Sequence, residues 1–157
     1  MTTCMESLPC SPQFDWDNKR NTYSSVAAGA LFFLGWWLMI DTAVTTEAEH
    51  WTNVYFLLTV ASTFSLFMVN AVSNGIVQGT AMDEGVLGVK GARLWLMFGF
   101  IASFACIVAG IWIMFARYVL VTADHPTWPG VALFLHTFLI FLSSLVYKFG
   151  RTEELWD

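Results

Sequence analysis

Three titratable side chains stand within or at the rim of stretches that are otherwise apolar: Asp41, Arg117 and His136. An acid, a guanidinium and an imidazole placed in lipid can neutralise one another, relay protons, or line a polar path for an ion or solute. A second group, Glu47, Glu49, His50, Asp124 and His125, has the side chains that bind zinc, but no standard ligand spacing joins them and no metal site is assigned. Ser143, Ser144 and Cys106 are nucleophile types without a base beside them, and neither G-x-S-x-G nor H-E-x-x-H occurs. The expectation is therefore no catalytic residue, no cofactor and no enzyme. Asn70 and Asn74 complete the set, four residues apart on one helix face, where their amides can cap the helix end or touch a ligand.

The elements that must position these residues are membrane spans. Of 157 residues, 57% are apolar and 12% charged, and the mean hydropathy is +0.61, far from the composition of a soluble domain. Residues 21–40, 50–82, 94–116 and 125–147 contain no Asp, Glu, Lys or Arg. Each run is long enough to cross roughly 30 Å of hydrocarbon. The second exceeds one span, and Ser73, Asn74, Gly75, Gln78 and Gly79 crowd its far end, so its helix is expected to stop near Ser73. An all-α protein with four spans follows, near residues 23–43, 53–73, 95–117 and 129–148. They form a transmembrane domain over residues 22–149, between an N-terminal tail (1–21) and a C-terminal tail (150–157).

Orientation comes from the cations. Lys19, Arg20, Lys90, Arg93, Lys148 and Arg151 flank one side, whereas the opposite loops carry Glu47, Glu49 and Asp124 and no Lys or Arg. The positive-inside rule then puts both termini and the middle loop in the cytosol. The first run is too long for a signal-peptide core and reads as a retained anchor. Five glycines, Gly75, Gly79, Gly85, Gly88 and Gly91, argue against a stable helix in the middle loop. The N-terminal tail, with Pro9 and Pro12, reads as loose apart from aromatics that touch the membrane surface. No run of like charge is long enough to bind nucleic acid, and Cys4 and Cys10 on a cytosolic tail with Cys106 in mid-membrane make no disulfide framework.

Lipid gives helices no hydrophobic reason to associate, so close packing relies on small residues four apart. The third span has Ala102, Cys106 and Gly110 in one row; the first has Ser24 with Ala28 and Ser25 with Gly29. These rows predict that the first and third spans are the close-contact pair, inside the bundle or toward a partner chain. Asp41, eighteen residues beyond Tyr23, would then reach the lumenal edge about 27 Å along its helix. Arg117 reaches the same edge, so the two are expected to form an ion pair, with interfacial water as the alternative partner for each. His136, about 12 Å deep in the fourth span, is either a proton relay or a neutral imidazole bonded to a neighbour. GWWLMIDTAV from Gly35 aligns with GIWIMFARYV from Gly110 at an offset of 75; this reads either as a 2+2 parallel repeat or as chance between two apolar helices.

Four blocks, KRNTYSSVAAGALFFLGWWLMIDTAV (19–44), NAVSNG (70–75), GARLWLMFGF (91–100) and KFGRTEELW (148–156), resemble the transmembrane protein 50 family, also called uncharacterised protein family 0220, which has a fungal vacuolar protein sorting relative. The resemblance covers nearly everything after residue 14. It implies a four-span protein of endoplasmic reticulum, Golgi and endosomal membranes, with a second small four-span protein as partner of the fungal relative, and it implies no reaction and no binding residue. The expected function is a non-enzymatic accessory subunit or trafficking factor for other integral membrane proteins. The alternatives are a small oligomeric transporter or channel, in which Asp41, Arg117, His136 and Asn70 line a hydrated path, and a lipid-binding protein with an acyl chain in a groove.

Overall fold

The computed structural model describes residues 12–79, 88–121, 124 and 126–151. The described residues are helical throughout their ordered elements: α1 Pro12–Thr45, α2 Val54–Ala71, a short α3 Asn74–Gln78, α4 Gly88–Ile113, which runs on into a π-helical turn Met114–Val119, and α5 Trp128–Gly150. Four of them are long and apolar enough to cross a membrane. At about 1.5 Å per residue, the 34 residues of α1 exceed the hydrocarbon thickness, so this helix extends beyond the bilayer core.

The N-terminal tail is not loose over its second half, because α1 already begins at Pro12, a residue suited to a first helical turn. The glycine-rich segment also holds a helix. Ser73 Oγ accepts the Ile76 N–H at 3.3 Å, one helical turn follows, and Gly79 ends it at φ +76°, a left-handed conformation that suits glycine. The α2 helix stops at Ala71 rather than Ser73, and α4 starts seven residues before the expected Trp95, at Gly88.

The hub is α5. Its buried residues fall at 129–130, 132–133, 136–137, 140, 143–144 and 148, a stripe two residues wide with helical period. That breadth lets it pack against α1, α2 and α4, while α2 and α4 also pair with each other. By contrast, among the described helices the α1 backbone closes on α5 alone and comes near neither α4 nor the π-helical turn; its side chains reach further, Trp36 to Thr63 of α2 and Met39 into a buried cluster with Tyr55, Tyr118 and Leu133. This overturns the expected pairing of the first and third spans within the bundle. Small residues do mark close approaches, but to other partners. A Cβ on Gly110 would lie 3.0 Å from Thr137 Oγ1 and 3.5 Å from Phe134 Cα on α5, and one on Gly99 would lie 3.2 Å from the Val69 backbone nitrogen on α2. Cys106, on the same row, is buried and free, and Ala102 is half-buried.

Candidate functional site

The interior of the bundle is a ladder of polar side chains between parallel α2 and α5. Three rungs join residues 74 apart, two from α2 and the third from the start of α3, so one register runs along α5: Ser62 Oγ lies 3.3 Å from His136 Nε2, Asn70 Nδ2 donates to Ser144 Oγ at 3.2 Å, and Asn74 Nδ2 donates to the Lys148 carbonyl at 3.4 Å. Lys148, 5% exposed, folds its ammonium back onto the Val72 carbonyl. Side rungs tie in the other helices. Ser143 Oγ donates to the Ala28 carbonyl at 2.7 Å, Ser103 Oγ to Ser65 Oγ at 3.0 Å, and Trp36 Nε1 to Thr63 Oγ1 at 3.2 Å.

His136 is the centre of this network and is fully buried. Its Nδ1 lies 2.9 Å from the Gly35 carbonyl. A carbonyl only accepts, so Nδ1 carries the proton, and in a neutral ring Nε2 is then an acceptor. The Ser62 hydroxyl has one proton to give and two acceptors in reach, Nε2 and the Thr59 carbonyl at 2.8 Å. Trp36 packs edge-on to the imidazole, with centroids 5.5 Å apart. Ser62 and His136 are a nucleophile type beside a base, yet at 2% and 0% exposure no substrate reaches them. They knit α5 to α2 and α1 in the manner of the satisfied imidazole, not of a relay open to water.

Asp41 and Arg117 are not brought together. Both are exposed, and with the α1 backbone away from α4 and the π-helical turn no ion pair joins them among the described residues. Equal depth on two helices was a poor guide because those helices are not neighbours. The π-helical turn also decides where Arg117 goes: its widened backbone, closed by Leu120 N–H to the Phe115 carbonyl at 2.9 Å, carries Tyr118 inward and leaves Arg117 outside. Tyr118 gives its hydroxyl proton to the His50 carbonyl at 2.8 Å. The Tyr55 hydroxyl, 3.1 Å away, is therefore the donor in that second contact. Arg117, Glu49 and His50 line a hollow of about 270 Å³ beside these tyrosines; His125 lies outside the described residues.

The sequence-predicted residues thus divide. Asn70 and Asn74 reach α5, Asn70 also bonding the Leu66 carbonyl of its own helix, and Ser73 caps the start of α3. Ser24 and Ala28 are spent on α5, with Ser24 lying where a side chain on Gly150 would have to fit. Ser25 and Gly29 border an open groove. Sequence reasoning missed Ser62, Ser65, Ser103 and Trp36. Its available signal was the three-residue spacing of Thr59, Ser62 and Ser65, which puts hydroxyls on one helix face in a segment otherwise apolar.

No solved structure matches the chain. The Transmembrane protein 50 homolog of Dictyostelium discoideum is 34% identical over 149 residues, covering 86% of this chain and 94% of the relative. The family model described as Uncharacterised protein family (UPF0220) matches residues 4–156, and with the ends of the match so near the ends of the chain, the four-helix protein described above belongs to that family.

Proposed function

We propose that this integral membrane protein is a non-enzymatic accessory subunit or trafficking factor, acting by lateral association with other membrane proteins in endosomal and secretory membranes. The observation that carries this reading is the position of α1, which is bound to the bundle along one side only. On its free side, near the end that bears the acidic loops, Trp37, Ile40 and Val44 are exposed together with Asp41. A carboxylate at the rim of the hydrocarbon favours a cationic partner. A second membrane protein with a Lys or Arg near the lumenal end of one span supplies it, and the small four-span partner expected from the family resemblance needs no more than that. The basic end, with Lys19, Arg20, Lys90, Arg93 and Lys148, then faces the cytosol, where the tails meet sorting machinery.

The interior polar groups support association over transport. Asn70 through its amide nitrogen, and His136 through both ring nitrogens, are bonded to neighbouring helices, and His136 is fully buried. The experiment is gentle purification from native membranes of the wild type and of the Asp41→Lys variant, a change at an exposed position of α1. A companion protein in fixed ratio with the wild type, reduced about tenfold by the charge reversal, is the expected result. Equal recovery with both, or no stoichiometric companion with either, rejects α1 as the contact surface.

A further inference from the structure

Both α1 and α2 lean on α5, but they make no backbone contact with each other. The gap between them is a groove of about 470 Å³, with Gly29 and Phe32 on one wall, Leu66 and Phe67 on the other, and Ser143 and Tyr147 of α5 as its floor. This volume falls in the range of about 300–1,000 Å³ that small-molecule sites occupy. At mid-membrane the groove is bridged by the Trp36–Thr63 hydrogen bond. Toward the basic end it adjoins a second hollow of about 150 Å³ lined by Asn70, Tyr147, Lys148 and Arg151, two of which border both spaces. An apolar channel thus ends in two cations and an amide. Arg151 is exposed, held by its contact with the Tyr147 hydroxyl and by the ring beneath it, 4.8 Å from the guanidinium carbon.

Asn70 supplies an independent observation. Its Nδ2 donates to the Leu66 carbonyl at 2.9 Å as well as to Ser144. Exchanging the amide's two ends would set oxygen against oxygen at Leu66, so the orientation is fixed by chemistry. Its Oδ1 is then buried and, among the described residues, has no hydrogen-bond partner. Buried acceptors are normally satisfied, and this one belongs to a residue that borders the junction of channel and cationic hollow.

We propose that the groove holds one acyl chain of an anionic glycerophospholipid from the leaflet at the basic end, with its phosphate against Lys148 and Arg151 and a head-group hydroxyl or ammonium donating to Asn70 Oδ1. The apolar length, the sign of the charge at its end and the unmet acceptor each match one part of such a molecule. Cations at the cytosolic face of a membrane draw anionic lipid, and a groove beside the head-group level adds a socket for the chain. The site sits at the opposite end of α1 from Asp41, so the two assignments are tested separately.

The test uses the full chain, purified in mild detergent, stripped of lipid and exposed to mixed micelles of phosphatidylcholine with or without phosphatidylserine, with bound lipid counted by native mass spectrometry. The wild type is expected to keep one phosphatidylserine per chain in preference to phosphatidylcholine. Gly29→Leu puts a side chain on the groove wall at a position where a Cβ meets nothing within 4 Å, and is expected to lower retention at least about tenfold with the melting temperature maintained. Arg151→Gln, an exposed position outside the packed interior, is expected to remove the preference for phosphatidylserine while the chain still melts as the wild type does. Equal retention of the two lipids by the wild type, unchanged retention in Gly29→Leu, or no lipid retained together with cross-linking of Gly29→Cys to another protein in native membranes overturns the proposal.

Discussion

Gly130→Ala is expected to destabilise the bundle by about 2 kcal/mol, the scale of overpacking in a tight core, and Gly130→Val by more. The added Cβ would stand 2.7 Å from Tyr118 Cδ2, 3.0 Å from its Cγ and 3.1 Å from Met114 Cα. None of these can yield cheaply. Tyr118 is held at its far end by the His50 carbonyl and the Tyr55 hydroxyl, and Met114 belongs to the backbone of the π-helical turn. Glycine is needed at this position for close approach, since Gly130 has no positive φ. Gly29→Ala is the matched control: its Cβ meets open space, so it should be neutral or gain up to about 1 kcal/mol of helix propensity. Both are read from reversible unfolding in mixed micelles of mild detergent and dodecyl sulfate. Combining Gly130→Ala with Tyr118→Leu, which takes away the ring the new methyl strikes, should recover part of the loss as a favourable coupling. A Gly130→Ala protein as stable as the wild type would mean that α5 and the π-helical turn are not in contact as described.

The four long helices were legible because long charge-free runs admit little else, and the cations between them marked one end of the bundle. Neighbourhood was not legible. Small residues at Ala28, Gly29, Cys106 and Gly110 say that something comes close, and spacing alone is silent about what it is; Ala28 and Gly110 turn out to meet α5, whereas Gly29 borders an open groove. The expected pairing of Asp41 with Arg117 inherited that error. The π-helical turn compounded it, for nothing in MFARYV announces the one extra residue per turn that sends Tyr118 inward and Arg117 out. In the middle loop, the glycines outweighed Ser73, although a serine followed by one helical turn and a glycine is enough for a short helix with a cap and a stop. His136 was found as a deep imidazole, but its partners come from two other helices, one of them through a backbone carbonyl. Lys148 read as a flanking cation of the basic end; its long stem instead lets the ammonium return to α2.

Among the interior side chains, His136 should be the most costly to truncate. It is fully buried, it packs on Trp36, and from α5 it bonds to the backbone of α1 and a hydroxyl of α2. Since α5 is the one described helix whose backbone closes on α1, a weakened α1–α5 joint leaves little beyond the Trp36–Thr63 bond to α2 to compensate. His136→Ala should therefore lower stability by about 3 kcal/mol, combining a cavity with two interhelical bonds that average well under 2 kcal/mol each within membranes. Each partner limits the damage in its own way. The Gly35 carbonyl keeps its place in the α1 hydrogen-bond ladder, and Ser62 retains the Thr59 carbonyl at 2.8 Å, so neither is stranded without a bond. For that reason Ser62→Ala alone should cost only about 0.5–1 kcal/mol. The double variant with His136→Ala should cost less than the sum of the two singles, with a coupling of about 0.5–1 kcal/mol. His136→Gln, which can donate to Gly35 but is too flexible to reproduce the ring contact with Trp36, should fall between alanine and wild type. Unfolding in mixed micelles separates these cases, and strict additivity of the Ser62 and His136 losses would show that the imidazole fills space without bonding to α2.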